Sequence, residues 1–159
     1  MLAPGGHRMT LERLKDIAVE GFDGADREYR RKLFLKFEEL YQALLVVRLP
    51  CSIFVNGSFL TEKGSPGDLD AMVLIDCDVI DAVNDAQRNL IDDINGSIYI
   101  SGLDVTAYTL YPIGHEFYGT ALDPRFYYEA YGMERSEQWL KGYAILRLWE
   151  TDVGLRLYR

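Results

Sequence analysis

A chain of 159 residues with 48% hydrophobic content is long and apolar enough for one domain with a real core, which excludes a disordered acidic protein. Its formal net charge of −8 opposes the phosphate backbone at long range and argues against non-specific nucleic-acid binding. No run approaches the ~20 apolar residues of a membrane span, the opening Met1–Leu2–Ala3–Pro4–Gly5–Gly6 lacks the charged and apolar regions of a secretory signal, and Cys51 and Cys77 are too few for a disulfide scaffold, reading instead as reduced core residues of a cytoplasmic protein.

In chain order, residues 10–17 predict a short helix with Thr10 as N-cap, broken by Gly21 and Gly24. Asp26 is expected to cap a longer helix running to about residue 47, with Tyr29, Leu33, Phe37, Leu40, Tyr41 and Leu44 at helical spacing and Pro50 as its stop. The dense basic cluster Arg27–Glu28–Tyr29–Arg30–Arg31–Lys32 reads as a solvated helix face in preference to a phosphate-binding patch. Residues 52–56 form a first strand, 61–67 a turn-rich loop, and 68 to about 75 a second strand. Leu69, Ala71, Val73 and Ile75 should line the strand face opposite its acids.

Residues 78 to about 94 predict a third helix on the stripe Val79, Ile80, Val83, Ala86, Leu90, Ile91 and Ile94. Asp76, Asp78 and Asp81 crowd its first turn, where the helix dipole favours negative charge, and Asp92 and Asp93 are surface charges. Asn95–Gly96 turns the chain, 98–100 reads as a short strand or strand start, and 103–110 follows as a strand. The tail from Tyr111 is aromatic at Tyr118, Phe126, Tyr127, Tyr128 and Tyr131, a pattern commoner in core or interface packing than in base stacking. A last strand is expected over 143–148, with Arg135 and Lys141 as basic candidates for a substrate path. His7 and His115 lie far from the acidic motif and read as structural or exposed.

The chemistry concentrates in Phe54–Val55–Asn56–Gly57–Ser58 and the Asp68–Leu69–Asp70 that follows. Positions i and i+2 of a strand share a face, so Asp68 and Asp70 should stand side by side and repel unless a cation sits between them. Hard oxygen ligands suit Mg²⁺, with Mn²⁺ as a substitute, and no His/Cys cluster suggests zinc. Gly57 lets backbone approach a phosphate, and Ser58 adds a hydroxyl donor. Asp104 lies in an apolar strand, where an acid is costly to bury without a partner. By itself it reads as a water-facing carboxylate; with the upstream motifs it reads as a third metal ligand that draws the proton from an attacking hydroxyl. Lys63 could reach a triphosphate or be an ordinary loop lysine, and turn chemistry accounts for Ser65 as well as a phosphate contact does.

These motifs resemble the nucleotidyltransferase superfamily of DNA polymerase beta, in which a Gly-Ser pair ends the first core strand, Asp-x-Asp opens the second, and a later strand supplies a third carboxylate. The pattern Pro4–Gly5–Gly6–His7 with Thr10–Leu11, Val55 to Lys63, Pro66 to Asp70, and Lys141 to Leu148 is similar to small bacterial nucleotidyltransferase-like proteins. The resemblance implies an α/β (α+β) nucleotidyltransferase fold with a mixed central β-sheet flanked by helices. It implies one domain over 1–159, with an N-terminal arm or short helix (1–25), a catalytic core (26–110) and an aromatic-rich C-terminal extension with a final strand (111–159). It further implies metal binding and catalysis by Asp68, Asp70 and Asp104, with Gly57, Ser58, Lys63 and Ser65 on an ATP-like nucleoside triphosphate. A nucleoside monophosphate would pass to a protein, RNA or small-molecule hydroxyl. The family departs here at Phe59–Leu60, where a basic residue is common, and at Gly67, where a small hydroxyl residue is common. The alternative is a binding partner, such as the antitoxin of a toxin–antitoxin pair. In either case a partner protein or a second copy of the chain could complete the cleft.

Overall fold

The computed structural model describes residues 2–96, 102–120, 123–124 and 141–148. The chain opens with a short strand, β1 (Gly5–Arg8), and then α1 (Leu11–Lys15), which runs on as a π-helical turn, Asp16–Glu20. Thr10 caps α1 as expected, its hydroxyl accepting from the Arg13 N–H at 3.1 Å. The long helix α2 (Gly24–Val46) begins two residues before the expected cap. Asp23 takes the N-cap position, and Asp26 falls in the first turn. The Asp23 carboxylate turns to Arg27 at 2.9 Å instead of capping the backbone.

Strand β2 (Cys51–Asn56) leads into a single 3-10 turn, Ser58–Leu60, and β3 (Leu69–Asp76) follows. The expected third helix is two helices, α3 (Cys77–Ile80) and α4 (Asp85–Asn95). The break arises at Asn84, whose side chain accepts from the Gln87 N–H while Gln87 reaches back to the Asn84 N–H, a reciprocal capping box. Gln87 also donates to the carbonyls of Val47 and Arg48, so the start of α4 satisfies the end of α2. Strand β4 (Leu103–Leu110) matches the expected range, and β5 (Gly142–Leu148) starts one residue earlier than expected. The strand or strand start expected over 98–100, and Phe126, Tyr127, Tyr128, Tyr131 and Arg135, lie outside the described residues.

The strands form one mixed sheet in the order β1-β5-β2-β3-β4. β1 and β5 are parallel, as are β3 and β4, while β2 runs antiparallel to both β5 and β3. The protein is thus a mixed α/β structure, and β5 lies inside its sheet, between β1 and β2. Alternate positions divide the sheet by face. Leu33, Phe34, Phe37, Leu40 and Leu44 of α2 share one core with Ile53, Val55, Leu69, Ala71, Val73, Ile75, Ala144 and Leu146. Leu90 and Ile94 of α4 join it, whereas Tyr29, expected in the α2 stripe, is exposed. The other face carries Asn56 on β2, Asp70 and Met72 on β3, and Asp104 on β4. No described helix is long and apolar enough to cross a membrane.

Candidate functional site

The two halves of the Gly-Ser and Asp-x-Asp pattern meet in space. The antiparallel β2–β3 register sets Asn56 opposite Asp70, and the next residue, Gly57, leaves the strand at φ 76° and ψ −167°. That conformation belongs almost only to glycine. A Cβ built on Gly57 would collide with Asp70 Oδ2, so the carboxylate fills the space that the missing side chain leaves. The parallel β3–β4 register then sets Asp104 opposite Asp70. Residues in register share a face and stand about 4.8 Å apart between strands. Asp104 is therefore on the same side of the sheet as Asp70. The Leu69 N–H bonds the Gly102 carbonyl at 3.0 Å, which fixes this register at its start.

Asp68 departs from the expected geometry. β3 opens at Leu69, so Asp68 stands one residue outside the regular strand and is exposed. Asp104 is also exposed, Asp70 is half-buried, and among the described residues neither Asp68 nor Asp104 has an ion pair. The carboxylates suit a hard cation chemically. Among the described residues, however, no three His, Cys, Asp or Glu side chains form a ready cage for one.

The loop after Gly57 is held from beneath by a residue that sequence reasoning placed on a solvated face. Arg30 is fully buried. Its Nη1 donates to the carbonyls of Ala18 (2.8 Å) and Phe59 (2.7 Å), and its Nη2 to those of Thr61 (2.8 Å) and Lys63 (2.6 Å). The guanidinium lies 3.6 Å from the centroid of the Phe22 ring and 5.4 Å from that of Phe59. Burial lowers its pKa, and nearby Asp26 opposes the shift. The neighbouring Arg27 and Arg31 pair with Glu20, Asp23 and Glu28, so these two cations of the basic cluster are offset by acids.

Ser58 opens the 3-10 turn next to Gly57, and its carbonyl accepts from both the N–H and the hydroxyl of Thr61. Lys63 is exposed and tied through its carbonyl to Arg30. The Ser65 hydroxyl donates to Asp26 at 3.4 Å, which faces it toward the first turn of α2. The structure thus gathers Asn56, Gly57, Asp70 and Asp104, with Asp68 and Ser58 adjoining, and anchors Lys63 and Ser65 to α2. On the same face Phe54 stacks on Tyr143, ring centroids 5.4 Å apart.

Other reactive groups lie elsewhere. Burial pushes the Cys51 thiol up to about 12, and desolvation followed by a hydrogen bond to Asp78 raises that of Cys77, so neither favours a thiolate. His7 contacts the Ala3 carbonyl at 2.7 Å, and His115 stacks on Tyr111 at 4.7 Å.

A profile of a family of unknown function (DUF6932) matches residues 1–147. No curated protein and no solved structure matches the chain.

Proposed function

The chain belongs to this family of unknown function, and we propose from its own geometry that it is a divalent-cation-dependent nucleotidyltransferase. The observation that carries the reading is the convergence of Gly57, Asp70 and Asp104, three residues from three parts of the sequence, at one end of three adjacent strands. It supports the order of motifs expected of that superfamily: Gly-Ser after one strand, Asp-x-Asp at the start of the next, and a carboxylate on a later strand.

Asp68, Asp70 and Asp104 would hold Mg²⁺ or Mn²⁺, which when bound offsets phosphate charge and aligns the α-phosphorus for attack. The backbone at Gly57 and Ser58, bare of a side chain at 57, receives the outer phosphates of a nucleoside triphosphate. Asp104, open to solvent, takes the proton as the acceptor hydroxyl attacks. The new bond joins the acceptor oxygen to the α-phosphorus, the bond to the bridging oxygen breaks, and pyrophosphate leaves. A protein, RNA or small-molecule hydroxyl can serve as acceptor.

The test uses α-phosphate-labelled triphosphates with cell extract as the acceptor pool. Wild-type protein should transfer label only with Mg²⁺ or Mn²⁺ present. Asp68→Asn combined with Asp70→Asn should abolish transfer while leaving the melting temperature unchanged or higher, because like charges are relieved. Equal labelling by the double variant overturns the reading, as does calorimetry that finds no triphosphate bound; the latter result favours a binding partner without catalysis.

A further inference from the structure

Asn56 closes β2 immediately before Gly57. It is only 6% exposed, and its Oδ1 is buried with no hydrogen-bond donor. Leaving such an acceptor unmet is costly, and few buried polar atoms persist in this state. Asn56 stands opposite Asp70, and Asp70 stands opposite Asp104. The three form one row of oxygen-bearing side chains across three adjacent strands, all on one face. An ionised carboxylate offers only acceptors, so Asp70 cannot satisfy the amide oxygen beside it. A divalent cation meets the amide oxygen and accepts the carboxylate as a second ligand, because amide and carboxylate oxygens are alike hard ligands.

We propose that Asn56 Oδ1 is a neutral oxygen ligand of a divalent cation shared with Asp70 and Asp104, an assignment that rests on the reading of those carboxylates given above. The site then combines a buried uncharged oxygen with one half-buried and one exposed carboxylate. The neutral ligand adds an oxygen from the β2 end of the row without adding to the repulsion among the acids. The unmet acceptor is the cost of keeping the position ready for the ion.

The experiment titrates the purified full chain with Mn²⁺ alone, following free Mn²⁺ by electron paramagnetic resonance. Wild type should bind, and Asp70→Asn should not. Asn56→Ala should weaken binding by about tenfold or more, at least the loss expected for an outer partner of a metal ligand. Asn56→Asp, which restores an oxygen, should bind at least as tightly as wild type. Thermal denaturation without metal should find Asn56→Ala no less stable than wild type, and added Mn²⁺ should raise the wild-type melting temperature by more. If Asn56→Ala binds Mn²⁺ like wild type while Asp70→Asn does not, the assignment of Asn56 is overturned and the carboxylate reading stands. If wild type itself binds no Mn²⁺, both fall. Should Asn56→Ala fail to fold, Asn56→Asp decides: tight binding supports the assignment, and a folded variant without affinity overturns it.

Discussion

An alanine at position 57 would be strained twice. Its backbone sits at φ 76° and ψ −167°, and its methyl group would fall on the Asp70 carboxylate. Gly57→Ala should therefore destabilise the chain by about 2 kcal/mol or more, read as a fall in the denaturation midpoint, and should cut triphosphate binding because Asp70 must move. Unchanged stability with unchanged binding would contradict this packing. The need for glycine at this point was legible in the sequence, since a strand that ends in Gly-Ser before a pair of acids marks a place where backbone must come close to something. The unmet oxygen of Asn56 was not legible, because an asparagine at a strand end is ordinary turn chemistry until its burial and its partner are known.

At the scale of elements, the loop between β2 and β3 owes its shape to Arg30. One planar guanidinium reaches four carbonyls, two of which lie in the residues that follow the 3-10 turn. Lysine has no such fork. Arg30→Met should destabilise the fold by about 3 kcal/mol or more, because it leaves several carbonyls without a donor at about 1–3 kcal/mol for each one that stays buried, and Arg30→Lys should recover little of it; chemical denaturation of the two variants measures this. A loss below about 1 kcal/mol, the net worth of a single ordinary hydrogen bond, would show that the loop holds its shape without the staple. The sequence placed Arg30 in a run of exposed charges because composition around a helix position does not reveal which turn meets another segment. The split between α3 and α4 was, by contrast, written in Asn84 and Gln87 at capping-box spacing, and the apolar stripe across 79–94 masked it. The strands β2, β3 and β4 were legible from their alternation, and Leu69, Ala71, Val73 and Ile75 do form the core face as expected.

The whole molecule depends on pairings between distant parts of the chain. β5 inserts between β1 and β2, so a segment that reads as a C-terminal extension is internal to the sheet. β1 went unrecognised because four residues that include Gly5 and Gly6 carry no strand signal until β5 pairs with them. The candidate site likewise exists only once β2, β3 and β4 lie side by side, and the order of the strands is not readable from local pattern. The most direct test of a cation shared between the strands is the anomalous diffraction signal of Mn²⁺ in crystals grown with the ion and a non-hydrolysable triphosphate. The predicted result is a peak bounded by Asp70 and Asp104 next to Gly57. A bound triphosphate with its Mn²⁺ on another part of the protein, and no density between those two carboxylates, would contradict it.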